Sequence, residues 1–344
     1  ALIDAIYSKD ERTPVSTAAK MRFVHASPDA PTIDIKLNAG TGTTLFSGAS
    51  FKDITSYVQQ TGGSFSFVVT ATGDTNEIIA YQAVTLSNNN AYSIVAYGTL
   101  DTTDAYPFGI RIYTDNTTGT AYVDLVPAPT TSHVRFIHTS YDAPDVDVWI
   151  DGSVEFSGLV YGNSSGYATI DKGTRNLQVT PTGLTVPIVI DQNLYFARNT
   201  YYTAIAFDQF ALIDGIQVID DKTPNATQAK MRFVNASPDA PAFDIKIWVA
   251  LGPGVIENSA FKDVSSYIAL DAGPYIFIIT EAGSDTPLYT YQMTSLNAGS
   301  TYTMVAYGTV DGGDSYPFSV RVFIDDGAGD TYFDLVEDVK MAGN

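Results

Sequence analysis

The sequence predicts an all-β protein built as three tandem antiparallel β-sandwich domains, immunoglobulin-like or transthyretin-like, with the first and third closely similar. Three observations carry this. The segment KMRFVHASPDAP at 20–31 returns as KMRFVNASPDAP at 230–241, an offset of 210 residues that holds without a gap to 126 and 336 and gives 45 identities in 107 positions. Apolar residues alternate with polar ones at a period of two, the mark of a half-buried strand. No stretch sustains a 3.6-residue period with helix caps. Repeats at this spacing indicate one structural unit copied in tandem.

In chain order, 1–19 reads as an N-terminal strand and linker, and 20–126 as the first sandwich. Within it Ile33, Ile35 and Leu37 alternate with Asp34 and Lys36, Phe65, Phe67 and Val69 form a second run, and Tyr92, Ile94 and Ala96 a third. Turn clusters such as Ser87-Asn88-Asn89-Asn90 separate such runs. Linker 127–132 (PAPTTS) precedes a more distant copy at 133–219, opened by HVRFIHTSYDAPDVDVWIDG, where Val146, Val148 and Ile150 alternate with Asp147 and Trp149. Linker 220–229 leads to the third sandwich at 230–337, and 338–344 is a tail. Phe23, Ile33, Ile35, Phe67 and Tyr92, with their counterparts 210 residues on, are the expected core.

Composition excludes several functions. With 38 acidic against 18 basic residues the net charge is −20, the wrong sign for tracking nucleic-acid phosphates or for a basic hold on anionic lipid. No apolar run approaches the length of a membrane-spanning helix. Cysteine is absent, which removes thiol nucleophiles, thiolate metal sites and disulfides. Low charge with abundant Thr, Ser, Asn, Gly and Tyr, and a start at Ala1, lead us to expect an exported chain, extracellular or at the cell surface.

The opening of each copy, Arg-Phe-Val/Ile-His/Asn followed by Ser-Pro-Asp-Ala-Pro (Ser-Tyr-Asp-Ala-Pro in the middle copy) and an Asp-x-Lys/Asp strand, resembles the family called domain of unknown function 4397. The resemblance implies an exported, tandemly repeated β-sandwich and no reaction. Its signature residues here are Arg22, Asp29 and Asp34, then Arg135, Asp142 and Asp147, then Arg232, Asp239 and Asp244. Pro28 and Pro31 fix φ and end a strand, and Asp29 is placed to bond backbone amides two residues on. We expect each arginine to pair with the aspartate of its own copy, Asp34, Asp147 or Asp244, across adjacent strands, because partly buried charges are paired.

Catalytic and metal-binding chemistry finds little support. His25 and His138 occupy equivalent places, yet the third copy has Asn235 there, and His133 and His138 lie five apart on an extended run and so face opposite sides. They read as satisfied histidines rather than zinc ligands. Asp325, Asp326 and Asp330, and Asp101 with Asp104 echoed by Asp311 with Asp314, offer hard oxygen ligands for calcium, but Asp-Gly turns look alike. No cofactor other than calcium is suggested. Asn116, Asn163 and Asn225 head Asn-x-Ser/Thr sequons, candidate glycosylation sites. No nucleophile–base pair or phosphate loop appears, so no enzyme is expected.

The functional expectation is an extracellular structural protein that polymerises with copies of itself into a surface filament. Its basis is that Ala1-Leu2-Ile3-Asp4-Ala5-Ile6 matches Ala211-Leu212-Ile213-Asp214-Gly215-Ile216, which closes the middle sandwich. Residues 1–8, through Leu2, Ile3, Ile6 and Tyr7, would then be a closing strand donated to a neighbouring subunit. The alternative is a monomeric adhesin or carbohydrate-binding stalk, with Trp149 and Trp248 stacking on cell-surface glycans.

Overall fold

The computed structural model describes residues 13–101, 103–117, 121–247, 255–311 and 315–338. Leu2, Ile3, Ile6, Tyr7, Trp248 and Asp314 lie outside the described residues. Among those described, strands joined by turns make up the fold, with one 3-10 turn at Phe210–Leu212.

The first sandwich opposes two sheets. One runs in the order Tyr122–Asp124, Gly109–Thr114, Ala91–Tyr97, Ala19–His25, Val58–Gln60, and the other Thr44–Ala49, Ile33–Leu37, Phe67–Ala71, Glu77–Ala80. The third repeats this order strand for strand, from Tyr332–Asp334 through Ser319–Ile324, Thr301–Tyr307 and Gln228–Asn235 to Ile268–Asp271, over the sheet centred on Phe243–Ile247 and Phe277–Glu281. The middle sandwich sets Ala168–Asp171, Thr131–His138, Tyr201–Phe207 and Asp214–Asp220 against Ser153–Leu159, Val146–Ile150, Gly173–Pro181 and Ile190–Phe196.

Period-two alternation delivers the cores. Met21 and Phe23 of the opening strand point inward against Ile33, Ile35, Phe67 and Tyr92, all buried in one cluster. Phe233, Phe243, Ile245, Phe277 and Tyr302 do the same in the third sandwich, and Val134, Phe136, Val146 and Val148 in the middle one. One pairing departs from a purely antiparallel sandwich. The opening strand of each copy runs parallel to a central strand, Lys20 beside Ala91, His133 beside Tyr201 and Lys230 beside Thr301. The two strands are joined through the opposite sheet rather than by a hairpin, so nothing forces them antiparallel.

Compactness divides the chain only once, at Ala128 and Pro129. The linker at 127–132 marks that division, whereas 220–229 joins two sandwiches that belong to one unit. What unites them is a further buried cluster drawn from both: Ile137, Ile205 and Phe207 with Val234, Ala236, Val305, Tyr307 and Phe323.

The signature aspartates fasten loops to strands. Asp29 takes amide hydrogens from Leu100 at 2.8 Å and Asp101 at 3.3 Å. Asp142 takes one from Phe210, and Asp239 from Val310 and Asp311. The amide bonds therefore cross to a loop some seventy residues away, and only the hydroxyls of Ser27 and Ser237 reach Asp29 and Asp239 locally. Asp34 accepts from the amides of Gly48 at 2.8 Å and Gly73 at 3.2 Å and from Ser47. Asp147 accepts from Gly158 and Gly183, and Asp244 from Asn258 and Gly283. These carboxylates tie two hairpins to the central strand and do not meet the arginines. The arginines lie in the other sheet, so the expected Arg–Asp pairing within a copy is wrong.

Replacing Phe23 or Phe233 by Ala removes a fully buried ring and should cost about 3–5 kcal/mol in chemical denaturation; a cost under about 1 kcal/mol would place the ring outside the core. A second prediction concerns acid. Burial pushes the Asp34 and Asp147 carboxyls up, but the amide and hydroxyl donors outweigh it and hold both below the ordinary 3.8. Their stabilisation is complete above the unfolded value and is lost as pH falls through the lowered one. The denaturation midpoint should therefore drop below pH ~4, and Asp34→Asn or Asp147→Asn should flatten that dependence.

Candidate functional site

The outward side of each opening strand is set by the same alternation that fills the core. With Val134 and Phe136 inward, His133, Arg135 and Ile137 face out; with Met231 and Phe233 inward, Lys230, Arg232 and Val234 do. In the middle and third sandwiches these outer faces cover each other, and two arginines are buried between them. Arg135 has no exposed side-chain surface and Arg232 only 2%.

Each arginine reaches into the other sandwich. Arg135 Nη2 donates to Asp325 Oδ1 at 2.5 Å and Nη1 to the Gly329 carbonyl at 3.1 Å. Arg232 Nη2 donates to Asp220 Oδ1, and Nη1 to the Ile219 carbonyl at 3.0 Å. Within its own domain each Nε donates at 2.9 Å to a threonine, Arg135 to Thr203 and Arg232 to Thr303. Those threonines donate to Asp220 and Asp325, which also accept from the phenols of Tyr167 and Tyr267. Each guanidinium lies over its own domain's tyrosine, Arg135 at 5.1 Å from the Tyr167 centroid and Arg232 at 4.9 Å from that of Tyr267, near enough for cation–π attraction. The arrangement is a pseudo-two-fold exchange: each domain contributes Arg, Thr, Asp and Tyr, and the arginines swap aspartates.

The electrostatics follow from this enclosure. Burial pushes the Arg135 guanidinium down, but Asp325, Tyr167 and Asp220 outweigh it and raise it; for Arg232, Asp220 and Tyr267 do the same. Burial raises the Tyr167 and Tyr267 phenols. The two guanidinium groups are thereby held charged and the two phenols neutral at ordinary pH.

Around this centre lies the apolar cluster, with Tyr161 meeting Tyr307 at a centroid distance of 5.5 Å and Phe207 meeting Phe261 at 6.2 Å. At the rim Lys262 pairs with Asp214 at 3.2 Å, and Arg321 Nη1 donates to the Gly162 carbonyl at 2.8 Å and Asn163 Oδ1 at 2.6 Å. The Tyr167 amide donates to the Ala328 carbonyl at 2.7 Å. Two glycines permit the approach. A Cβ on Gly329, whose φ is +90°, would come within 2.5 Å of the Tyr167 ring, and one on Gly162 within 3.1 Å of Tyr307.

The first sandwich carries the same constellation. Arg22 Nε donates to Ser93 Oγ at 2.8 Å, and Ser93 and Tyr57 both donate to Asp115 Oδ2 at 2.8 Å. Burial, and then Asp115, pushes the Tyr57 phenol up to about 12.

Other candidates are dispersed. Asp325 is consumed by the exchange, while Asp326 accepts from Ser300 and Asp330 from Thr331. Asp101 accepts from Thr103 and Asp104 from Thr99. Among the described residues no three His, Asp or Glu side chains gather around a metal position. His25 bonds the Pro31 carbonyl and the Ser27 amide, and Asn235 fills the same role through Ser259 and Ser237. His138 is buried, its pKa lowered by desolvation, and bonds the Pro144 carbonyl. His133 stacks on Tyr201 at 4.3 Å. Trp149 is half-buried, its Nε1 donating to Thr180. Asn116 bonds Ala91 and Asn90, Asn225 bonds Thr227 and Gln228, and Asn163 sits in the contact between sandwiches.

Sequence reasoning missed Asp115 and Asp220, and with them Tyr57, Tyr167 and Tyr267, and it singled out Asp325 only as a calcium candidate. A signal existed, since Asp115 and Tyr57 recur 210 residues on as Asp325 and Tyr267.

The family described as "Domain of unknown function (DUF4397)" matches residues 19–126 and 132–246, about two thirds of the chain. No curated protein matches the sequence. Solved structures with some likeness include "The Bacillus anthracis TIE protein", 10% identical over 86% of this chain with a TM-score of 0.21. This chain spans 50% of that protein's length. Another is a variant of the major pilin subunit of Bacillus cereus, 13% identical over 85% of this chain and 99% of that one, with a TM-score of 0.15.

A double-mutant cycle tests the exchange. Arg135→Met or Asp325→Asn alone leaves a buried charge without its partner and should cost about 3–5 kcal/mol of stability. The double variant should cost clearly less than the sum, and strict additivity would show that the pair is not coupled.

Proposed function

We propose a structural, non-catalytic role for this chain, which belongs to the DUF4397 family: it serves as an extracellular building block of a surface filament. The observation that carries this reading is the buried exchange of Arg135 and Arg232 between neighbouring repeats. Residues of the kind that elsewhere bind or react are spent here on joining domain to domain. A module whose strongest polar set is devoted to self-similar contact gains by being repeated, whereas a catalytic set is needed once.

Polymerisation would come from residues 1–8, which repeat the closing strand of the middle sandwich in sequence. Leu2, Ile3, Ile6 and Tyr7 supply roughly 6–10 kcal/mol of gross apolar burial on docking, set against an association cost of about 4–15 kcal/mol. A strand of this kind therefore needs a wider contact beside it, and contacts that do not close on themselves give filaments.

Deleting residues 1–8 tests this directly. Negative-stain microscopy and light scattering should show fibres or large assemblies for the full chain and monomers for the deletion. Unchanged fibres after deletion, or a full chain that stays monomeric at high concentration, would sink the proposal.

A further inference from the structure

On the third sandwich three cations hold the end of the preceding domain. Lys262 pairs with Asp214 at 3.2 Å, Arg232 with Asp220, and Lys230 with Asp221 at 2.5 Å. Subtracting the 210-residue offset turns the cations into Lys52, Arg22 and Lys20 of the first sandwich. The same subtraction turns the acids into Asp4, Asp10 and Glu11. All three acids are present, although only six of residues 1–10 match 211–220. The tether is also the same length, since 12–19 corresponds to 222–229.

The surroundings agree. Ile216 lies against the cluster that contains Val234 and Val305, both fully buried, and Ile6 stands at its offset place. Val24 and Val95, at the places of Val234 and Val305, are only half-buried. The first sandwich thus presents an incompletely covered apolar strip between charges of the required sign and spacing. A strand has period two, so Asp4, Ile6, Ser8 and Asp10 share one side of an extended segment, and Ile3, Ala5, Tyr7 and Lys9 share the other.

We propose that the outer face of the first sandwich docks the chain's own residues 1–11, with Lys52 holding Asp4, Arg22 holding Asp10 and Lys20 holding Glu11. The sandwich then acts as a cradle for this segment, with Asp4, Ile6 and Asp10 on its inner side and Glu11 just past the strand, as Asp221 follows the strand that ends at Asp220. Ile6 is then covered by the chain's own first sandwich, while Ile3 and Tyr7 face away from the cradle, so only part of the apolar burial of residues 1–8 is left for a neighbour. The docking is a contact within one chain and does not rest on filament formation.

The absence of cysteine permits a clean test in the full-length protein. Asp4→Cys with Lys52→Cys, and separately Asp214→Cys with Lys262→Cys, would be treated with a short bifunctional thiol reagent and read by denaturing electrophoresis and peptide mass. Both pairs should link within single chains to similar extents. Backbone hydrogen exchange over residues 1–11 gives an independent reading: it should be slowed in the parent chain and become several-fold faster in Lys52→Glu. The proposal is overturned if the first pair fails to link, or links only between chains, while the second links within them. It is equally overturned if residues 1–11 of the parent exchange at the rate of a free peptide. Neither reading depends on whether fibres form, so loss of the filament role would leave this result standing, and the reverse.

Discussion

A guanidinium group withdrawn from water must have a carboxylate beside it, and that requirement organises the contact between the second and third sandwiches. Arg135 and Arg232 are as buried as the core phenylalanines, so the face around them tolerates only a partner that brings an acid to the right place. Each domain solves the problem with the other's aspartate. The gain in stability is modest, because desolvation offsets most of the attraction. The gain in definition is larger, since any displaced arrangement parts both arginines from both aspartates at once. Apolar burial by Ile137, Phe207, Val305 and Phe323 supplies the cohesion, and the charges select the geometry.

This division of labour explains why the two kinds of signature aspartate have nothing to do with the arginines. Asp34, Asp147 and Asp244 lie in the sheet on the far side of the core and work on backbone amides, as do Asp29, Asp142 and Asp239 at the loop crossings. Short antiparallel sandwiches have long connections whose amides need acceptors, and a carboxylate can satisfy two or three at once. Internal cohesion is thus assigned to one set of acids, and joining to another.

Much of the fold was legible because it rests on local rules. Alternation places Phe23, Ile35 and Phe67 inside, and the 210-residue offset makes the first and third sandwiches alike. The parallel pairing of the opening strand was not legible, since it depends on how the chain crosses between sheets. The site was half legible. Repetition singled out Arg22, Arg135 and Arg232, but alternation within one copy offers Asp34 and its equivalents as the obvious partners. Asp220 ends a strand twelve residues before Arg232, Asp325 sits in a turn 190 residues after Arg135, and each meets its arginine only across a domain boundary. Pattern within a single repeat cannot reveal a contact that exists only between two.

Gly162 has a consequence for assembly errors. Domains this similar, emerging one after another from a ribosome, are prone to join the wrong neighbour. Where the middle sandwich has Gly162, the third has Lys262, in the same left-handed backbone conformation. Two copies of the third sandwich brought face to face would set that lysine against Tyr307, in room that a single hydrogen atom now occupies. A side chain at that point would have to push the Tyr307 ring aside by a few tenths of an ångström, so the missing one eases the closure of the unlike pair.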